Sequence, residues 1–530
     1  MKTILLALVL FSYSLTAEKF QATGSNSPEN NQGEIVVNFA KLEGSKLTFN
    51  LYEPFKIHTD TGVVYTNGSP EIFLGDFAEQ NKYNAGNDSK KEYSRIWIES
   101  QSEARIVIRH RAALVNNGGE IAFSQKPRIS PYGPGAWIDE WYTIHPDGTH
   151  TRRIKMYTQE ENLKDPYLSF GKGGFRFENM ALWRGAPKPG ISVADDINED
   201  ALTLISMNGK SSKVNFSKPL VFMQSSPGDI VKAFGPNRHT NIQVINTVSK
   251  FKPYRIGREP KKDPKGFNGM NVLSLPFQPT HAQKNRLPAY PRGATRQSGY
   301  SVAFLGNMSY SDFWKKDRFS INEIWLNGYT GSQTPEKELP LIAKSWLNAP
   351  SLSTRGSIGV KVLGYHMGER AYIIENDSSK SRNNIALRFA ASSKSPIYNP
   401  MLLINKWGDK PVSAFLNNKG LTKGVDYTYG YYKEIRLDGG RRLHNVLAIW
   451  VKTKSEKYTN IDIKGIEAKE PLDTTLRTWV DTKGKKAAAR LLDSDGTIAI
   501  LQLNNGRKLK VKVNSLSEPD QKYIKEKVLK

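Results

Sequence analysis

The chain has 530 residues, and its 76 Lys and Arg against 51 Asp and Glu give a formal net charge of +25. A field of this sign attracts polyanions, so the candidate partners are nucleic acid, an acidic membrane surface or an acidic polysaccharide. The sequence contains no cysteine, which excludes disulfides, thiolate metal sites and a lipidated N-terminal cysteine.

The first 17 residues have the pattern of a secretory signal peptide. Lys2 gives the positive start, Ile4–Phe11 is the apolar run, and Leu15-Thr16-Ala17 fits a cleavage site. The run is too short to span a bilayer, and no later segment is a candidate span. We therefore expect a soluble protein that is secreted, periplasmic or held at the cell surface. Export argues against genomic DNA as the partner, and the sequence contains no recognisable nucleic-acid-binding module.

From Glu34 onwards, short runs of alternating apolar and polar residues are separated by Gly, Asn and Pro turns. This rhythm predicts a mostly β protein with a large antiparallel β-sandwich architecture of one or two sandwich domains, followed by a small C-terminal barrel. The predicted organisation is a signal peptide at 1–17, an N-terminal β-sandwich catalytic region at 34–340, a second β-sandwich part at 341–465 and the small domain at 476–530. Helices are predicted only at Asp312–Phe319, Pro340–Leu347 and Glu518–Val528.

The stretch Gly135–Thr158 predicts a long β-hairpin. Its turn is His145-Pro146-Asp147-Gly148, because Pro fixes φ, Asp bonds back to its own backbone and Gly takes the left-handed position. One arm carries Trp137, Trp141 and Tyr142, and the other carries His150, Arg152, Arg153 and Lys155. Rings facing cations make a wall suited to a sugar that bears negative charge. A sheet edge with a solvated polar face is the alternative.

A basic stretch follows at 238–296, with twelve Lys or Arg and two acidic residues. Its part Lys252–Arg296 is rich in Pro and weakly alternating, which predicts a long surface excursion. Interleaved with the charges are His239, His281, Tyr254, Tyr290 and Phe277. The mixture indicates a groove for an anionic polymer. A solvated basic loop without a catalytic part is the alternative.

Eliminative cleavage of a uronic-acid polymer needs a cation on the carboxylate, a base for the adjacent C5 proton and an acid for the leaving oxygen. Arginine suits the first role because its planar fork matches a carboxylate. The catalytic candidates are His239 or His281 as base, and Tyr142 or Tyr290 as base or leaving-group acid. The substrate-binding candidates are Arg109, His110, Trp141, His145, Arg238, Arg286 and Arg292.

Other chemistries have weaker support. Hydrolysis needs two suitably spaced carboxylates, but Asp139-Glu140 and Asp195-Asp196 are adjacent pairs that point to opposite faces of a strand. No G-x-S-x-G elbow is present. His145 and His150 could hold a metal, but a plain hairpin is the preferred interpretation. We expect no cofactor, although bound Ca²⁺ is compatible with the sequence. An oligosaccharide dehydratase or glycoside hydrolase and a non-catalytic carbohydrate-binding surface protein are the alternative functions.

Scattered motifs over roughly Glu34–Asp462 resemble a known group. The motifs are Arg105–Leu114, Asp139–Thr149, Ile242-Gln243-Val244 with Asn246, Ser395–Pro400 and Lys406-Trp407-Gly408. They resemble secreted bacterial β-sandwich proteins found among genes for digesting algal sulfated polysaccharides, a group similar to the ulvan lyases of polysaccharide lyase family 40. The resemblance implies β-elimination next to a uronic acid in a sulfated polymer. That group has a His-Trp-Pro element after the Ile-Gln-Val motif, whereas here Leu273-Ser274-Leu275-Pro276 lacks His and Trp. Either His281 compensates or the activity differs.

The tail resembles the Sla-type homology domain, an SH3-like module of secreted planctomycete and verrucomicrobial proteins. The matching segments include Arg477–Asp481, Ala488–Leu492, Leu501–Leu503, Val511–Val513 and Leu516–Ile524. The resemblance implies a small SH3-like barrel that binds a protein or cell-surface partner and carries no catalytic constellation.

Overall fold

The computed structural model describes residues 19–28, 34–51, 55–60, 63–66, 71–73, 82–88, 90–125, 130–157, 174–176, 178–185, 197–214, 242–257, 271–276, 299–305, 315–317, 320–381, 383–437, 441–466, 475–503 and 507–528. The predictions for the signal peptide and for Asp195-Asp196 lie outside these residues. So do the predicted site residues Arg238, His239, His281, Arg286, Tyr290 and Arg292. Within the described part, no helix is long and apolar enough to cross a membrane.

The described chain is mostly β, as the sequence predicts. Its strands are β1 (Gln21–Thr23), β2 (Ile35–Asn38), β3 (Lys46–Phe49), β4 (Phe55–His58), β5 (Val63–Thr66), β6 (Glu71–Phe73), β7 (Lys82–Asn84), β8 (Arg95–Gln101), β9 (Ile106–Ala113), β10 (Trp137–Ile144), β11 (His150–Tyr157), β12 (Gly174–Arg176), β13 (Glu178–Gly185), β14 (Ile197–Ile205), β15 (Ser211–Val214), β16 (Ile242–Thr247), β17 (Lys252–Ile256), β18 (Asn271–Pro276), β19 (Gly299–Leu305), β20 (Lys315–Asp317), β21 (Ser320–Thr330), β22 (Leu352–Thr354), β23 (Val360–His366), β24 (Ala371–Asn376), β25 (Asn384–Phe389), β26 (Ile397–Tyr398), β27 (Met401–Asn405), β28 (Val412–Leu416), β29 (Lys419–Gly420), β30 (Tyr427–Leu437), β31 (Arg441–Val451), β32 (Lys454–Ser455), β33 (Thr459–Gly465), β34 (Arg477–Val480), β35 (Lys486–Ser494), β36 (Ile498–Leu503) and β37 (Lys508–Lys512). The α-helices are α1 (Pro335–Leu347), α2 (Ser378–Ser381) and α3 (Glu518–Val528).

The chain divides into two compact units. The first contains residues 1–408 and 414–463, and the second contains 409–413 and 464–530. The boundary predicted between residues 340 and 341 falls inside α1, a continuous helix.

A ten-stranded antiparallel sheet dominates the first unit, in the order β15-β14-β16-β17-β21-β11-β10-β9-β8 with β20 beside β21. The predicted hairpin is confirmed as β10 and β11, paired from Trp137–Tyr157 to Ile144–His150. Gly148 in its turn has φ +81°, and a Cβ there would lie 2.4 Å from Leu42 Cδ1. Conformation and space therefore both require glycine at this position.

Two local predictions are wrong. Lys252–Ile256 is not part of a surface excursion but forms β17, an interior strand between β16 and β21. Its Tyr254 and Ile256 pack in the core despite the neighbouring Pro and charges. The helix predicted at Asp312–Phe319 is replaced at Lys315–Asp317 by β20, because these residues pair with β21. Of the other predicted helices, α1 begins five residues before the predicted start, and α3 has the predicted bounds.

The large sheet is packed against other elements on one face and on part of the other. The five-stranded sheet β1–β5 packs on the face that we call the inner face, where Phe49 and Phe55 join Tyr142 and Ile108 in one apolar cluster. Helix α1 packs on part of the opposite, outer face through Trp346. The outer face of β8–β11 is only partly buried, because side chains such as Arg109, Trp141 and Arg153 there are half-buried.

Two further five-stranded sheets, β22-β25-β33-β28-β29 and β23-β24-β27-β31-β30, lie mainly in the first unit. They pack face to face, since the rings of Tyr372 on β24 and Phe389 on β25 lie 5.1 Å apart between centroids. In the second unit, β34–β37 form an antiparallel sheet whose core includes Trp479, Leu501 and Ile524 of α3. The SH3-like assignment of this unit stays a prediction.

Candidate functional site

Alternate residues of β8–β11 form a surface of arginines and aromatic rings on the outer face. Trp97, Arg109, Trp141 and Arg153 are direct cross-strand neighbours in one row. Side chains on directly opposite positions of neighbouring strands share a face. We call the surface the Arg–Trp face. Its strand residues are Trp97, Arg109, Arg111, Trp137, Asp139, Trp141, Arg153, Lys155 and Tyr157, and Tyr132 joins them from the segment before β10.

Trp141 lies between two guanidinium groups. Arg109 Cζ is 4.8 Å and Arg153 Cζ is 4.1 Å from the centroid of its ring. Arg111 stacks in the same way on Tyr132, at 3.6 Å. In each contact the guanidinium carbon lies over the ring, and a guanidinium placed in this way can still present N–H groups to oxygen ligands.

Asp139 neutralises two of these arginines. Its carboxylate is 0 % exposed and accepts hydrogen bonds from Arg109 Nε at 3.1 Å and Arg111 Nε at 3.3 Å. The Tyr132 hydroxyl also donates to Asp139, and burial together with this bond raises the tyrosine pKa. Arg109 pairs with Glu99 as well, at 3.0 Å. Arg109 and Arg111 are therefore held by carboxylates of the protein.

Arg153 differs from its neighbours. Among the described residues it has no hydrogen-bond or ion-pair partner, although it is half-buried and stacked on Trp141. Burial lowers its pKa, and the nearby Glu369 and Glu99 only partly offset this effect. Glu369 instead pairs with Arg105. A half-buried guanidinium that has no carboxylate partner in the described part of the chain is a candidate group for binding an external anion.

Gly368 leaves room beside Arg153. A Cβ at this glycine would lie 3.0 Å from Arg153 Cδ and 3.1 Å from His366 Cε1, so the two side chains flank it. The Nδ1 of His366 accepts the backbone N–H of Glu369 at 3.1 Å, which assigns the ring proton to Nε2. Burial lowers the pKa of His366 from its usual value, which favours the neutral imidazole.

Tyr142, a predicted catalytic residue, lies on the inner face. It is 0 % exposed, and its ring centroid is 5.0 Å from that of Phe49. Its hydroxyl donates to Glu140 Oε2 at 2.5 Å, and burial raises its pKa well above the usual value. Glu140 also holds Arg152 through a 3.1 Å ion pair. This geometry supports a structural role for Tyr142.

His110 and His145, both predicted to bind substrate, are also fully buried. Burial lowers the pKa of each, and neither ring has a hydrogen-bond partner among the described residues. His110 pairs across the sheet with Glu140 on the inner face. Of the predicted site residues that the structure describes, Arg109 and Trp141 lie together on the Arg–Trp face, while Tyr142, His110 and His145 lie in the interior.

Two of the sequence motifs that resemble the lyase group meet at a junction between sheets. Asn399 Nδ2 donates to Asp147 Oδ2 at 2.7 Å, and Thr149 Oγ1 donates to Asp147 Oδ1 at 2.6 Å. Arg370 donates both to Thr149 and to the carbonyl of Tyr398. These residues therefore join the hairpin turn to the segment before β27, which is a structural role.

No group of three His, Asp or Glu that could hold a metal ion occurs within the described ranges. Asp147, which the sequence places between His145 and His150, accepts hydrogen bonds from Asn399 and Thr149 on its two carboxylate oxygens.

The sequence interpretation missed Trp97, Tyr132 and His366 as members or neighbours of the site. Trp97 could have been found, because it lies directly opposite Arg109 on the neighbouring strand. His366 comes from β23, more than 200 residues later in the chain, and no local pattern connects it to the hairpin.

No protein-family model matches this chain, and no curated protein matches it. Among solved structures, an alpha-mannosidase from Enterococcus faecalis V583 is similar with a TM-score of 0.31 and 7 % sequence identity. The match covers 81 % of this chain and 43 % of that chain, so this chain spans less than half of the mannosidase. A likeness of this size carries no argument about activity.

Proposed function

We propose that the protein is a secreted polysaccharide lyase that binds an acidic, sulfated, uronic-acid-containing polymer on the Arg–Trp face and cleaves it by β-elimination. The observation that carries the proposal is Arg153, a half-buried guanidinium stacked on Trp141 with no anionic partner among the described residues. Arg109 and Arg111 have such partners.

The chemistry follows from what an arginine does to a uronate. A bidentate pair with the sugar carboxylate lowers the pKa of the C5 proton. A base removes that proton, the C–H electrons form the C4–C5 double bond, and the C4–O bond breaks. The leaving oxygen then takes a proton from an acid. Trp141 would supply the flat apolar surface for the sugar ring.

The catalytic base and acid of the proposal are His239 or His281 with Tyr290, which all lie outside the described residues. Within the described part, the interior position of Tyr142 leaves it no contact with a polymer on the outer face. His366 has its Nδ1 occupied by a backbone N–H, which makes the ring a hydrogen-bond donor through Nε2 rather than a base.

The candidate acid and base groups near the Arg–Trp face are bonded to other protein groups or buried. This favours one alternative, a carbohydrate-binding surface protein without turnover. The Tyr132 hydroxyl is bonded to Asp139, and His110, His145 and His150 are all buried. The alternative uses the same Arg–Trp face and the same anionic polymer.

A panel of uronans, including ulvan and glycosaminoglycans, separates the two functions. A lyase generates unsaturated uronates, which absorb in the ultraviolet, and mass spectrometry shows chain scission without added water. Binding to a uronan with no new chain ends would favour the non-catalytic alternative. Products that contain added water would identify a hydrolase, and loss of water without scission would identify a dehydratase. No binding to any acidic polymer would contradict both the lyase and the binding protein.

A further inference from the structure

The second compact unit carries its own cationic surface. Lys508, Lys510 and Lys512 alternate along β37 and are all exposed. Their cross-strand partners are Gln502, Ile500 and Ile498 of β36. The residues between them, Leu509 and Val511, pair with Leu501 and Ala499 of the core. All three lysines therefore point away from the core of the unit.

Two more cations share this side of the sheet. Arg490 of β35 pairs with Gln502, and Lys486, four residues earlier on the same strand, lies on the same exposed side. We call the set the lysine face, and its residues are Lys486, Arg490, Lys508, Lys510 and Lys512. Within the described part of the unit, none of the five has an ion pair. Asp493 is the acidic residue on the same side, past a bulge that follows Leu491.

Protection of a sheet edge does not account for the whole set. Lysines on β37, the last strand of the four, discourage pairing with another chain. Arg490 and Lys486 lie on β35, which has strands on both sides and needs no such protection. The lysine face thus extends across the sheet beyond its edge.

The lysine face also lacks aromatic rings. The rings of the described part of this unit, Trp479 and Tyr523, pack against each other with centroids 5.9 Å apart in the core region. A surface of cations without rings offers no stacking for unpaired bases or for the apolar face of a neutral sugar. Such a surface is suited to point charges, and exposed positions on one strand recur about every 7 Å.

We propose that the lysine face is a second binding site for a polyanionic glycan, which it recognises through sulfate and carboxylate groups alone. The inference rests on the proposed function, because the glycan is the polymer bound by the Arg–Trp face. A polymer held at two sites of one chain dissociates more slowly than a short oligosaccharide held at one.

The test uses the full chain and two matched variants that remove the same charge. K508Q/K510Q/K512Q changes the lysine face, and K483Q/K522Q/K525Q removes three exposed lysines elsewhere in the same unit. We expect the first variant to bind dextran sulfate and ulvan roughly tenfold more weakly at low salt, since exposed charge pairs contribute modestly each. Its affinity should also depend less on salt concentration. The control should stay within about twofold of the parent by the same reasoning.

Equal losses in both variants would show that net charge alone matters and would overturn the inference. Preferential binding of double-stranded DNA over the sulfated glycans, lost in K508Q/K510Q/K512Q, would also overturn it and would identify a nucleic-acid site. The outcome is separable from the proposed function. If no uronan is cleaved but the first variant loses affinity, the lyase proposal fails and this inference stands. If uronans are cleaved and the two variants have equal affinities for the sulfated glycans, the lyase proposal stands and this inference fails.

Discussion

The two faces of β9–β11 carry the same kinds of residues but use them in opposite ways. On the inner face, Arg152 is paired with Glu140 and Tyr142 is bonded to the same carboxylate, all without exposure to solvent. On the outer face, Arg153 and Trp141 stack on each other and are half-buried, and Arg153 has no carboxylate partner in the described part of the chain. One residue step along a strand therefore separates a structural ion pair from a candidate binding group.

The largest effect that would sharpen this comparison is on stability. Glu140→Ala leaves Arg152 buried without its partner, so we expect the free energy of unfolding to fall by about 3–5 kcal/mol. Urea denaturation measures the change. Asp139→Ala is the matched change on the outer face, and its cost should be smaller because Arg109 and Arg111 can turn to water. Equal costs for the two variants would break the comparison.

The second prediction concerns pH and the inner face. Burial lowers the pKa of His150 from 6.5 to about 4, so the folded protein keeps this ring neutral where the unfolded chain binds a proton. The unfolded state thus holds more protons between these two values, and stability falls as the pH drops from about 6.5 to about 4. One such histidine contributes roughly 3 kcal/mol to the fall.

Urea midpoints at pH 7 and pH 4 check this prediction in the parent and in His150→Gln. The variant cannot titrate at this position, so its midpoint should fall less with acid. The same fall in both proteins would show that His150 does not hold a depressed pKa.

The smallest expected effect concerns the Trp141 ring on the Arg–Trp face. Trp141→Ala removes the ring between Arg109 and Arg153, and we expect the affinity for a sulfated uronan to fall roughly fivefold, in line with cation–π and stacking contributions. Isothermal titration calorimetry measures the affinity. Trp141→Phe should retain much of the binding because a ring remains. If alanine and phenylalanine behave identically, the ring has no part in binding.

The sequence predicted those parts of the molecule whose cause is local. The turn at Asp147-Gly148 follows from local turn chemistry, the helix Glu518–Val528 is predicted with its observed bounds, and the structure confirms both. Arg109 and Trp141 were predicted for the site and lie together. Because adjacent residues of a strand point to opposite faces, Tyr142 and Trp141 of β10 cannot lie on the same surface. The prediction places both rings in one binding wall, and this part of it is wrong for Tyr142.

Other features depend on distant parts of the chain. Whether Arg153 finds a carboxylate is decided by Glu369, which the turn after β23 brings close and which pairs with Arg105 instead. The strand Lys252–Ile256 has the composition of a loop, and its place between β16 and β21 buries it. Tertiary pairing of this kind overrides local propensity.

The most direct test of the central claim compares Arg153→Ala with Arg388→Ala, which removes an equal charge from an exposed position on β25. Equilibrium binding of a sulfated uronan should weaken roughly a hundredfold for Arg153→Ala, because a desolvated charge pair with the ligand is lost. Arg388→Ala should bind as the parent does, and Arg153→Lys should recover only part of the affinity because it lacks the planar fork. Equal affinities for Arg153→Ala and the parent would contradict the claim that the Arg153 guanidinium holds the acidic sugar.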